Sequence, residues 1–134
     1  MSINAHLDSL NNISQLEQGW DCYDAPPVEK NVIENTRKVI ELIGNKSRKF
    51  PHLNKCSIAP IPYEGINISW NIGEYAISIE VENPGSLYYH FCHIDTNYRA
   101  TSHFDEISSF NSRVINNWID EIAVSYTHLR AHET

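Results

Sequence analysis

The sequence predicts an α+β domain: two N-terminal helices, an antiparallel meander of three to four strands and a C-terminal helix, with the helices packed on one sheet face. Three observations carry that reading. Apolar residues recur at helical spacing over residues 3–16 and again over residues 28–43. From Cys56 the period changes to two, and a helical stripe returns between Ile107 and Ile122. A meander whose strands are apolar on alternate residues can bury only one face, and the helices before and after it supply the covering layer.

Ser2 is placed to cap the first helix, in which Ile3, Leu7, Leu10, Ile13 and Leu16 share a face before Gly19 supplies a left-handed end. Pro26-Pro27 is expected to open the second helix, since proline is tolerated in a first turn. Val28, Val32, Ile33, Val39, Ile40 and Ile43 form its stripe, and Gly44 is expected to close it. Residues 45–55 then read as a basic loop. Ser57 to Ile61 is a short edge strand blunted by Pro60 and Pro62. Ile66, Ile68 and Trp70 alternate with polar residues, as do Tyr75, Ile77, Ile79 and Val81 after the turn at Gly73, so the two runs form a one-sided hairpin. Asn83-Pro84-Gly85-Ser86 is a turn into a strand over residues 87–94, where both faces carry aromatics and two registers stay open. Asp105 is placed to cap the last helix, with Ile107, Phe110, Val114, Ile115, Trp118, Ile119 and Ile122 as its stripe.

A chain of this length holds one core, and its net charge is −7. Net acidity argues against salt-driven binding to nucleic acid or an anionic membrane, while leaving a basic protein partner open. No run approaches a membrane span, and the first residues have neither a basic nor an apolar leader region, so a cytoplasmic location is expected. Cys22, Cys56 and Cys92 are odd in number and far apart, which fits reduced thiols rather than a disulfide framework.

Residues 124–134, Val-Ser-Tyr-Thr-His-Leu-Arg-Ala-His-Glu-Thr, resemble one reading frame of a transposase sequencing adapter. The resemblance implies a non-native tail, a single domain over residues 1–123 and native coding that stops at about Ile122 or Ala123. The pair His128 and His132, which has the i, i+4 spacing of half a zinc site, is therefore given no weight. Removing the tail takes one basic and one acidic residue and leaves the charge unchanged.

Gly19-Trp20-Asp21-Cys22-Tyr23-Asp24-Ala25-Pro26-Pro27, followed by a helix and by Ile66-Asn67-Ile68-Ser69-Trp70, resembles a group of small bacterial proteins with a Gly-Trp-Asp-x-Tyr-x-Ala-x-Pro signature. Members usually carry Gly or Ser where Cys22 stands, Gly where Asp24 stands, and a Gly-rich turn where this chain has Glu64-Gly65. The resemblance implies no chemistry. From the residues themselves, the loop reads as a helix junction, with Gly19 ending one helix, Trp20 covering the joint and Asp21 accepting backbone N–H groups. The functional alternative is a partner anchor made of Trp20 and Tyr23 beside Asp21 and Asp24.

Several constellations in the sequence are capable of chemistry. His90, Cys92, His93 and His103, with Asp95 and Asp105, are the metal-capable cluster, but strand alternation puts His90 and Cys92 on one face and His93 on the other. No metal or other cofactor is expected. A cysteine nucleophile would need a base such as His90 or His103 within reach, and the spacing predicts no such contact. Glu80 and Glu82 sit two apart on a sheet face, a pattern that more often keeps the face wet than performs acid/base work. Lys46, Arg48, Lys49 and Lys55, interleaved with Phe50 and His52, are the one basic run, and suggest at most a weak single-stranded nucleic-acid site over residues 46–55. Phosphate-cradling glycine motifs and His-Glu-x-x-His are absent from the sequence.

The expectation is a non-enzymatic protein-interaction domain, of an accessory, immunity or antitoxin-like kind. Its partner surface is placed on the 19–27 loop and the outer sheet face bearing Ser69, Ser78, Glu80 and Glu82, extended by Tyr88 and His90 if Leu87, Tyr89 and Phe91 point inward. The rival is a small metal-dependent hydrolase using His90, His93, His103 and Asp105.

Overall fold

The computed structural model of the chain describes residues 3–82, 85–104 and 112–133. Ser2, Asn83, Pro84, Asp105, Ile107 and Phe110 lie outside them. Helix α1 (Ile3–Ser14) and helix α2 (Lys30–Ser47) are followed by a 3-10 turn (Pro51–Asn54). Strands β1 (Ser57–Ile61), β2 (Gly65–Ile72), β3 (Tyr75–Glu82), β4 (Ser86–His93) and β5 (Tyr98–Phe104) come next, then helix α3 (Ser112–Glu133). The strands form one antiparallel sheet in chain order, and the fold is α+β with the helices on one face.

The sheet has five strands rather than three to four. Strand β5 is an edge exposed along nearly its whole length, so nothing selects apolar residues on either of its faces and Tyr98-Arg-Ala-Thr-Ser-His-Phe104 shows no alternation. The register of β4 is settled: Leu87 and Tyr89 are buried and Phe91 half-buried, while Tyr88 and His90 share the outer face with Ser78 and Glu80. Among the described residues, no helix is long and apolar enough to cross a membrane.

Helix α2 begins at Lys30 and not at the prolines. A residue before proline is pushed out of the helical region, and the carbonyls of Ala25 and Pro26 are already taken by Gly19 N–H and the Trp20 indole. Glu29, still extended at φ −62° and ψ 145°, is the first flanking residue, and its side chain makes no capping bond. Gly44 does not close the helix, which continues to Ser47. A Cβ at Gly44 would come within 2.9 Å of the Ile3 side chain, so this glycine is a contact point between α1 and α2.

One core joins both layers. Ile66, Ile68, Trp70 and Ile72 of β2 with Ile77, Ile79 and Val81 of β3 meet Leu10 and Ile13 of α1, the stripe of α2, and Ile115, Trp118, Ile119 and Ile122 of α3. Leu7, Val114 and Tyr75 are half-buried at its margin. The 45–55 stretch is not a simple loop. Its 3-10 turn carries Leu53 into the core, and its carbonyls are met there by buried donors. The Trp70 indole N–H donates to Leu53 O at 3.0 Å, and His6 Nε2, on a side chain only 1% exposed, donates to Asn54 O at 2.7 Å. The most deeply buried part of α3 ends at Ala123. Beyond it Val124 is exposed, whereas Tyr126 is half-buried and stacks on His52 with ring centroids 5.1 Å apart.

The indole bond makes a stability prediction. Trp70→Phe keeps an aromatic in the core but leaves Leu53 O without a donor and opens a small cavity. Urea unfolding should show a loss of about 2–4 kcal/mol.

Candidate functional site

The 19–27 loop is held by its own backbone. Gly19, at φ +82°, turns the chain and donates its N–H to Ala25 O at 2.8 Å, closing the loop on itself. Asp21 Oδ1 accepts the N–H groups of Tyr23 at 3.0 Å and Ala25 at 3.1 Å, and the Gln18 amide donates to Asp24 O at 2.7 Å. The indole of Trp20 donates to Pro26 O at 2.8 Å, and Ala25 is wholly buried. Gly19, Trp20, Asp21 and Ala25 thus have structural work. Tyr23, 82% exposed, has no side-chain partner among the described residues, and the Asp24 side chain is likewise outside these bonds. Cys22 sits at φ +68°, a conformation that glycine adopts without the clash a Cβ suffers.

Beside this loop lies the β1–β2 turn. Glu64 N–H donates to Ile61 O at 3.1 Å, and Tyr63, at φ +68°, holds the left-handed position of the turn and stands 66% exposed. Gly65 follows because a Cβ there would fall 1.9 Å from Val81 O. Between loop and turn is a cleft of about 80 Å³ lined by Trp20, Pro27, Glu29, Tyr63, Glu64 and Gly65 among others. Small-molecule pockets span about 300–1,000 Å³, so this one takes the tip of a single side chain. The sequence reading missed Tyr63, Glu64 and Glu29 as site residues. The available signal was Pro62-Tyr63 between two strands, an aromatic in a turn with no packing duty.

The outer sheet face continues from the cleft. Gly65 pairs with Glu82, and the next row on the same face runs Asn67, Glu80, Tyr88, His103 across β2 to β5. Tyr88 is stacked between His103, at 4.0 Å between centroids, and His90, at 5.9 Å. His90 Nε2 stands 3.5 Å from Glu80 Oε2 and its Nδ1 meets the Thr101 hydroxyl at 3.3 Å. Ser69 and Ser78 fill the neighbouring row. Burial pushes the Glu82 carboxyl above its ordinary value, the charges of Glu80 and Glu64 push it further, and His103 and His90 oppose them. Glu80 and Glu64 are thus near enough to Glu82 to act on its charge.

The metal-capable residues do not converge. His93 points away from His90 and bonds Thr96 at 2.7 Å and Glu74 at 3.1 Å, and among the described residues no three His, Cys, Asp or Glu side chains are grouped to hold an ion. His103 and His90 flank Tyr88, Cys92 lies on the outer face, and Asp105 is outside the described residues. Cys56 has an imidazole beside it, with Sγ 3.5 Å from His6 Nε2. That nitrogen gives its proton to Asn54 O and has no lone pair for the thiol, and burial pushes the Cys56 thiol up to about 12. His6 escaped the sequence reading although it falls at helical spacing with Leu10 and Ile13. The basic run is spread out: Lys46 pairs with Asp120 at 3.1 Å, Phe50 packs on the core, and His52 stacks on Tyr126.

Two outcomes follow from this geometry. Cys22→Gly relieves a strained backbone at an exposed site, and should raise stability by about 1 kcal/mol in urea unfolding. For Glu82 the raised value means a stabilising contribution present below the ordinary 4.5 and lost as pH rises through the raised value. Glu82→Gln should therefore raise the melting temperature at neutral pH and flatten the decline in stability that runs from 4.5 up through the raised value. Comparisons with protein families, with curated proteins and with solved structures return no match.

Proposed function

We propose that the chain is a non-enzymatic protein-interaction domain, of an accessory, immunity or antitoxin-like kind, that binds a basic surface of another protein. The observation that carries this is the joining of two features at one end of the sheet. Tyr23 and Tyr63 stand out into solvent there, and Glu64, Glu82 and Glu80 continue from them across the open sheet face. Tyrosine is rigid, amphipathic and enriched among residues that dominate binding energy, and a one-signed field steers an oppositely charged partner. Such groups have no role in the core. The adjoining Ser78, Tyr88 and His90 extend the face, while Trp20 and Asp21 serve it by holding the loop in shape.

Affinity capture from the source cell with the whole chain tests the reading. Tyr23→Ala changes a side chain that is 82% exposed, so it should leave the melting temperature nearly unchanged and reduce recovery of the partner by about tenfold or more, as expected of a hot-spot tyrosine. Glu80→Lys with Glu82→Lys should abolish recovery and lower the association rate of the identified partner. Full recovery with both variants would overturn the proposal. Stoichiometric zinc or manganese in the purified protein would instead favour the hydrolase reading through the His90, His93, His103 and Asp105 region.

A further inference from the structure

The geometry points to the cleft between the 19–27 loop and the β1–β2 turn as a receptor for one arginine side chain of the partner. This rests on the interaction reading above and deepens it by naming the anchor. Three features of the cleft argue for it. Its volume, about 80 Å³, suits the tip of one side chain. Its walls include the aromatic residues Trp20 and Tyr63, and a guanidinium is attracted to aromatic faces and stacks on them. Two carboxylates, Glu29 and Glu64, stand at it, and none of its lining residues is basic. Among the described residues neither carboxylate forms an ion pair. Glu29 precedes the first turn of α2 without capping it, so its charge is not committed to the helix.

Tyr63 adds an independent argument. A bulky residue at positive φ is an uncommon and strained choice where glycine or asparagine would sit at less cost. Its ring is mostly in solvent, so core packing does not account for that choice. Holding a ring at the mouth of the cleft does. The bidentate fork of arginine matches a carboxylate as well as an aromatic face, which a lysine ammonium does with less geometric fit.

The test uses the whole chain and N-acetyl-arginine amide, followed by amide and indole NMR shifts, with N-acetyl-citrulline amide as the neutral isostere. Saturable shifts are expected at the Trp20 indole N–H and at the Glu64 and Gly65 amides, with the citrulline compound about tenfold weaker. Tyr63→Gly removes the ring while relieving its backbone, so it should keep or raise the melting temperature and lose the arginine shifts. Glu29→Gln with Glu64→Gln should lose them as well. Equal binding of arginine and citrulline, shifts that survive these variants, or no saturable shift at the cleft would each overturn the inference. The two readings fail separately: arginine shifts present while partner recovery ignores Tyr23 and Glu80 would sink the interaction reading and leave the receptor standing. Partner recovery that depends on Tyr23 without arginine shifts would do the reverse.

Discussion

Two hydrogen bonds from buried donors to the 3-10 turn hold the layers in their relative positions. The turn follows α2 and must cross the core margin to start the sheet, which takes the carbonyls of Leu53 and Asn54 away from water. An unpaired buried carbonyl costs about 1–3 kcal/mol, and here each is met by a donor from a different layer. The indole of Trp70 comes from the middle of β2, and the imidazole of His6 from α1, forty-eight residues away in sequence. Because both donors are themselves almost fully buried, neither can be traded for solvent. The placement of α1 against β2 is thereby tied to one short turn, and the close contact of Ile3 with Gly44 ties the same helix to α2.

With the core committed in this way, the open parts of the molecule are those the helices do not reach. The outer sheet face and strand β5 remain wet, and an antiparallel sheet permits that because its hydrogen bonds are satisfied without a second covering layer. The 19–27 loop needs no help from the core to keep its shape, since Gly19, Asp21 and the Trp20 indole satisfy its backbone internally. Its one large exposed residue, Tyr23, is free of that duty. Two of the non-glycine residues at positive φ, Cys22 and Tyr63, lie in the segments on either side of the same cleft.

Much of this architecture was legible in the residues. Strands β2 and β3 could be read because one face of each is in the core and the other in water, so burial writes itself into the chain with a period of two. The stripes of α1, α2 and α3 were legible for the same reason. Strand β5 was not, since an edge exposed on both sides imposes no alternation. The start of α2 was misplaced because the prolines that suit a first helical turn were instead held extended by bonds from Gly19 and Trp20.

What the sequence by itself determined was therefore the element types, the one-sided sheet, the acidic charge and the loop residues that stand out from the core pattern. These are local properties, recorded within a turn of helix or a few residues of strand. Only the tertiary structure decided that His6 is a core donor, that Gly44 is a packing contact and not a helix stop, and that Cys56 meets an imidazole unable to take its proton. It also decided that Tyr63, Glu64 and Glu29 meet Trp20 across a cleft. Each of these depends on atoms brought together from segments distant in the chain, and a pattern read along one segment holds no record of what packs against it.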